Sequence, residues 1–172
     1  CTVTGTIDFI FGDAAAVFQN CNIIVRKPME SQQCTVTANG RNDSRETTAF
    51  IIHNSTIAAD PSYYPVRFVN KAYLGRPWKE YAKTIYLQCE IDDLIDPRGW
   101  LPWMGSFALD TCYYSEFQNK GKGSDTAERV RWKGVKNISD VEAESYAPGR
   151  FLGGDSWIPQ SGVPYTAGLI GV

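Results

Sequence analysis

The sequence predicts an all-β solenoid of short strands stacked coil upon coil. Three observations predict it. First, three segments share one order of side chains: Val17-Phe18-Gln19-Asn20-Cys21-Asn22-Ile23, Ile51-Ile52-His53-Asn54-Ser55-Thr56-Ile57 and Ile85-Tyr86-Leu87-Gln88-Cys89-Glu90-Ile91. Second, they fall in register at Cys21, Ser55 and Cys89, two equal steps of 34 residues, and Cys1-Thr2-Val3 matches their last three positions 20 residues before Cys21. Third, helical periodicity is poor through residue 120, while Gly 15 and Pro 9 supply turns. One coil cannot bury its apolar side alone; stacking like residues on like builds a continuous core.

The elements follow in chain order. Gly5-Thr6-Ile7-Asp8-Phe9-Ile10-Phe11-Gly12 is a β-branched and aromatic strand pattern with one carboxylate. Strand side chains alternate between faces. Val3, Gly5, Ile7 and Phe9 share the parity that suits a core, while Thr2, Thr4, Thr6 and Asp8 share the outer one. Asp8 is thus expected on a wall facing solvent or substrate, although a solvated turn or a helix cap uses the same residue type. The shortest repeat gap suits a bare coil, and the longer ones a coil carrying an inserted loop, where function tends to sit. Loops are expected at Arg26 to Gln33, Asn39 to Thr47, Asp60 to Pro65 and Asn119 to Asp125. Val141 to Tyr146, with Ser139 and Asp140 as caps, is the best helix. Pro148 to Val172, rich in Gly and Pro, reads as a tail wrapping the stack.

Composition narrows the function class. Hydrophobic content of 43% and charged content of 21% fit an ordinary globular domain, and a net charge of -2 leaves no electrostatic footprint for nucleic acid or an anionic membrane. No apolar run approaches the ~20 residues of a membrane helix. Aromatics are generous and suit sugar stacking as well as core or rim. The chain opens on Cys1 without a start methionine or basic leader, which reads as a fragment or processed product. Sequons at Asn42, Asn54 and Asn137 fit a secreted glycoprotein.

The five cysteines include no C-x-x-C pair, and His53 is the only histidine, which argues against zinc. Cys1 and Cys21 occupy equivalent positions one coil apart. Parallel neighbours lie ~4.8 Å apart, within disulfide reach, so a bridge is expected in a secreted protein. The alternative is a stacked pair of free thiols.

Leu74-Gly75-Arg76-Pro77-Trp78 is the sharpest local motif. A residue before proline is held extended, so Arg76 and Trp78 should project from one face. Arginine offers a planar fork for a carboxylate, and tryptophan a flat platform for a pyranose ring. A surface arginine and a rim tryptophan would look the same. Gly99-Trp100-Leu101-Pro102-Trp103 reads as core or wall packing. Gly154-Asp155-Ser156-Trp157 superficially matches a GDS-type esterase, but no histidine follows His53 and there is no G-x-S-x-G, which removes a serine triad.

Taken together, Gly5 to Gly12 and Leu74-Gly75-Arg76-Pro77-Trp78-Lys79-Glu80-Tyr81 resemble the signature regions of plant pectin methylesterases, carbohydrate esterase family 8. Val36 to Arg41 and Phe151 to Trp157 also resemble that family, and the likeness runs from Cys1 to about Tyr165. The resemblance implies a right-handed parallel β-helix, with residues 1–172 as the C-terminal part of one catalytic domain. It implies secretion to the plant cell wall, hydrolysis of methyl esters on homogalacturonan, no cofactor or metal, and a proteinaceous pectinesterase inhibitor as a candidate partner. Asp8 matches the nucleophile. Arg76 matches the arginine that orients that aspartate, keeps it ionised and contacts substrate. Trp78 matches a substrate-stacking residue, Phe11 a substrate wall, and Cys1 with Cys21 the family's bridged pair.

Attack by a carboxylate splits ester hydrolysis through an acyl-enzyme. It still needs a proton donor for methoxide and donors for the oxyanion. The family carries these as an aspartate in a Gln-Asp-Thr motif and as glutamines, all before the nucleophile, and none is present here. The isolated chain is therefore expected to show little or no activity, and its first coil to expose an apolar end and a strand edge. Two further readings are a non-catalytic β-helix that binds pectin or a partner, and another pectin-active β-helix, a lyase or hydrolase. The lyase would need an acidic calcium site, and Asp92, Asp93 and Asp96 read better as a polar turn.

Overall fold

The structure is a computed structural model that describes residues 1–171. Among the described residues twelve strands follow one another: β1 Thr2–Gly5, β2 Ile7–Gly12, β3 Ala15–Gln19, β4 Asn22–Val25, β5 Cys34–Asn39, β6 Ala49–His53, β7 Thr56–Ala59, β8 Ala72–Gly75, β9 Lys83–Leu87, β10 Glu90–Ile91, β11 Tyr113–Phe117 and β12 Val135–Lys136. Their pairings are parallel and form three sheets, ordered β1-β4-β7-β10, β12-β11-β9-β6-β3 and β2-β5-β8. Each sheet takes one strand per coil, which makes the chain a parallel β-helix.

The repeat becomes the register. Asn22 pairs with Thr56 and Thr56 with Glu90; Val17 pairs with Ile51 and Ile51 with Ile85. Like residues therefore stack, and Ile23, Ile57 and Ile91 form a buried interior column. The sheet of β3, β6 and β9 is covered on both faces. Ile52, Tyr86 and Tyr114 fill the interior, while Ile51 and Ile85 pack outward under Ala143, Tyr146 and Phe151. All five residues of β6 are buried, as a parallel strand covered on both faces should be.

The turn after these strands also repeats. Asn20, Asn54, Gln88 and Gln118 all have positive φ. Asn54 Nδ2 donates to Asn20 Oδ1 at 2.6 Å, and Gln88 Nε2 to Gln118 Oε1 at 3.0 Å. The small residue that follows is buried in each unit: Cys21, Ser55, Cys89.

The expected loops lie between strands. Helix α1, Asp140–Ser145, starts one residue before the expected Val141, with Ser139 Oγ accepting from the Glu142 amide at 3.2 Å. The tail holds two short helices that the sequence reading did not anticipate, α2 Pro148–Phe151 and α3 Ile158–Ser161. It then returns along the stack. Gln19 exchanges two hydrogen bonds with Thr166, both 2.8 Å, and Gln88 two with Ile170, 2.9 and 2.8 Å.

The cysteines require a correction. Strand pairing sets Cys1 beside Cys21, with the Asn22 amide donating to the Cys1 carbonyl at 2.8 Å, yet all five thiols are free. Cys21 Sγ is directed at the Gln19 carbonyl, 3.4 Å away, and Cys1 is exposed, so the expected bridge is not formed. Burial pushes the Cys34 thiol up to about 11 and those of Cys89 and Cys112 to about 12, leaving them unreactive. Two acids of the 92–96 turn are ion-paired, Asp93 with Arg67 at 2.6 Å and Asp96 with Arg98 at 3.0 Å and Lys71 at 3.3 Å, while Asp92 Oδ1 accepts from the Asp93 amide at 2.8 Å. Among the described residues no acidic cluster is arranged to hold a metal.

Candidate active site

β2 carries the site, and its pairing with β5 is irregular. Ile7 pairs with Thr35 and Ile10 with Thr37, so Asp8 and Phe9 together oppose Val36. This is a β-bulge, which re-aims side chains. Asp8 takes φ +54, a left-handed conformation that costs an ordinary residue on the order of 1–2 kcal/mol and Asp less. Strict alternation would send Phe9 inward and Ile10 outward. Here Ile10 is 6% exposed, and Phe9 also packs against the core. Phe9 can do so because Gly5 leaves room: a Cβ there would lie 2.3 Å from that of Phe9. Asp8 reaches the outer wall as expected, but through the bulge.

Two neighbouring strands supply its partners. From β5, Thr35 Oγ1 accepts from the Asp8 amide at 3.1 Å and donates to Asp8 Oδ1. From the end of β8, Arg76 grips both carboxylate oxygens. Its Nε lies 2.9 Å from Oδ1 and 3.2 Å from Oδ2, and its Nη2 lies 2.6 Å from Oδ2. Residues 68 positions apart thus form a two-pronged ion pair. The Arg76 amide donates to the Thr37 carbonyl at 3.0 Å, which fixes where the fork begins. Gly75 permits that approach, since a Cβ there would meet Thr37 Oγ1 at 2.2 Å.

An aromatic groove of about 260 Å³ surrounds the carboxylate, lined by Asp8, Phe11, Ala38, Trp78 and Trp103. Phe11 is 68% exposed and meets Trp78 edge to face, ring centres 6.4 Å apart. Trp78 lies over Gly40, whose missing Cβ would stand 3.0 Å from the indole. The Arg76 guanidinium carbon is 4.5 Å from the centre of the Trp103 ring, a cation–π contact. All four predicted site residues, Asp8, Arg76, Trp78 and Phe11, therefore meet at one groove. Two further residues there escaped sequence reasoning. Thr35 carries no local signal beyond its strand. Trp103 shares its short motif with Trp100, and only Trp100 is buried, stacked on Tyr114 with ring centres 4.1 Å apart.

A carboxylate held by a guanidinium and a hydroxyl, open to an apolar groove, can act as an oxygen nucleophile or an anionic anchor. Among the described residues the lining carries no second carboxylate. A larger hollow of about 350 Å³ lies at the other end of the stack, around Arg129 and Lys136. There the Arg129 fork already grips Glu116, at 2.9 and 2.8 Å, and bonds the Pro97 and Gly123 carbonyls, so it is not free to orient another carboxylate.

Comparison with known proteins reaches the same region of the chain. The pectinesterase family model matches residues 1–155. A protein described as putative pectinesterase/pectinesterase inhibitor 43 of Arabidopsis thaliana is 59% identical over 167 residues, 97% of this chain and 24% of that protein. Probable pectinesterase/pectinesterase inhibitor 58 of the same plant is 57% identical, over 96% of this chain and 29% of its own length. Among solved structures, pectin methylesterase from carrot superposes with a TM-score of 0.97 at 47% identity, covering 98% of this chain and 53% of that one. The pectin methylesterase of Aspergillus niger, in deglycosylated form, gives 0.69 at 33% identity, covering 81% and 42%. The chain thus spans about a quarter of the length of these curated relatives. On the family match over residues 1–155, this chain belongs to the pectinesterase family.

Proposed function

We propose that the protein carrying this chain removes methyl esters from homogalacturonan, with Asp8 as nucleophile. The observation that carries the proposal is the two-pronged Arg76–Asp8 pair on the floor of an aromatic groove. In this reading an Asp8 oxygen attacks the ester carbonyl carbon, and collapse of the adduct expels methoxide, which leaves as methanol once protonated. Water then hydrolyses the acyl-enzyme, freeing galacturonate and restoring Asp8. Arg76 holds the carboxylate plane, and Phe11, Trp78 and Trp103 give the sugar apolar surfaces. The proton donor and oxyanion donors are assigned to segments outside residues 1–172, which form the C-terminal part of the catalytic domain. The plant relatives and the exposed Asn42 and Asn137 support a cell-wall location. Relatives named for both esterase and inhibitor support a proteinaceous inhibitor as partner.

The test is a chimera in which the carrot enzyme's segment before the matched region precedes this chain. It should release methanol from methylated homogalacturonan, while the isolated chain stays near background. D8N should lower the chimera's rate on the order of 10⁴–10⁶-fold, as loss of a nucleophile does. A D8N chimera at the parental rate would overturn the reading. A chimera that binds pectin without releasing methanol would favour the non-catalytic β-helix instead.

A further inference from the structure

We propose that Thr35 is a positioning residue for the Asp8 carboxylate and that its hydroxyl selects Oδ2 as the attacking oxygen. The inference rests on Asp8 being the nucleophile. It begins at the bulge, which turns the Asp8 amide out of the regular ladder. A bulged amide normally loses its partner; here Thr35 Oγ1 accepts it at 3.1 Å, and the same hydroxyl donates to Asp8 Oδ1. A threonine hydroxyl has a single proton. With that proton given to Oδ1 and a lone pair given to the amide, Thr35 ties the left-handed backbone of Asp8 to its own side chain.

Arg76 alone would leave slack. Its fork fixes the carboxylate plane, but it stands at the end of a long side chain that is 26% exposed. Thr35 is 1% exposed, sits in the middle sheet position between β2 and β8, and is β-branched, hence stiff at χ1. It is the rigid reference against which the fork clamps.

A lone-pair count then separates the two oxygens. Each carboxylate oxygen offers two acceptor sites. Oδ1 takes the Thr35 hydroxyl and, at the shorter of its two distances, the Arg76 Nε proton. Oδ2 takes Nη2 at 2.6 Å and only the longer Nε contact, 3.2 Å. Oδ2 keeps a lone pair for the ester carbon, and Oδ1 is spent on orientation.

The experiment uses the carrot chimera and compares Thr35→Val, which keeps the shape and removes the hydroxyl, with Thr35→Ser, which keeps the hydroxyl. T35V should lower kcat about 10–100-fold with KM within about twofold, the size expected for a small misplacement of a reacting group. T35S should stay within about threefold of the parent. Should T35V not fold, T35A against T35S makes the same comparison. Parental kcat in T35V or T35A, or an equal fall in T35S, would overturn the proposal. D8N separates the two levels. An inactive D8N beside a fully active T35V sinks only the positioning role; an active D8N sinks the nucleophile itself.

Discussion

After β3, β6, β9 and β11, four residues in consecutive coils share a left-handed backbone, Asn20, Asn54, Gln88 and Gln118; on the first coil Asp8 adopts the same conformation with no counterpart on β5 or β8. In the turns, side chains of adjacent coils bond to each other and offset the strain together. At Asp8 the support comes from different elements, a hydroxyl on β5 and a guanidinium after β8. What repeats from coil to coil builds the stack. Ser31 and Ala108 are also left-handed but lie in loops; Asp8 is the one non-glycine residue of that kind inside a strand among the described residues, and with its own supports it marks the chemistry.

The comparison can be broken at several points. The largest effect is expected at the singular site. Arg76→Gln removes the fork and should lower methanol release by the chimera about 10²–10³-fold. Arg76→Lys should recover only part of that, because one ammonium cannot bridge both oxygens as a planar fork does. Next comes Gly75→Ala, where the new Cβ meets Thr37 Oγ1 at 2.2 Å and the Trp100 ring at 3.2 Å. It should cost about 1–3 kcal/mol in chemical unfolding and also slow the reaction, since β8 delivers Arg76.

The repeated site should respond differently. Asn54→Ala deletes the bond to Asn20 and leaves a Cβ residue at φ 46 without its compensation. It should cost about 1–2 kcal/mol of stability and leave the chimera's rate per folded molecule unchanged. Asn54→Gly should be milder, because glycine accepts that backbone. An Asn54→Ala variant that loses activity in step with Arg76→Gln would erase the distinction between the two regions.

The smallest effect belongs to His53, which stacks between Gln19 and Leu87 in the ladder. It is fully buried between Gln19, 3.0 Å from Nδ1, and Gln88, 3.3 Å from Nε2, and those two glutamines hold the tail. Burial pushes its pKa below the ordinary imidazole value, opposed by a hydrogen bond to Gln88 and by the charge of Glu144 on α1. The folded state thus binds the proton less readily than the unfolded chain. The stability this contributes is fully present above about pH 6.5, the unfolded value, and declines as the pH falls below it until the folded form is protonated too. His53→Gln should flatten denaturation midpoints between about pH 7 and 5. An unchanged pH slope would show that His53 does not set it.

Much of this was legible in the sequence, and the reasons differ by element. The coils were readable because stacking places Ile23, Ile57 and Ile91 on one another, so a structural column becomes a sequence period. The α1 cap was readable because Ser139 acts on residues within one turn. Asp8 and Arg76 were found through motifs that match a family, since nothing local links residues so far apart. The bulge was not legible: it is a mismatch between β2 and β5, a property of neither strand alone, and Thr35 went unseen with it. Trp103 was hidden because nothing in Gly99 to Trp103 tells which of two nearby indoles is buried, and Trp100 is that one. The Cys1–Cys21 bridge was expected from strand spacing, but spacing does not aim a thiol.

The most direct measurement is methanol release from methylated homogalacturonan by four forms of the chimera: parent, D8N, R76Q and the double variant. If Arg76 acts through Asp8, each single change is severe and the double falls no lower than D8N alone. Losses that multiply in the double variant would show the two residues acting independently, and would contradict the clamp on which this account stands.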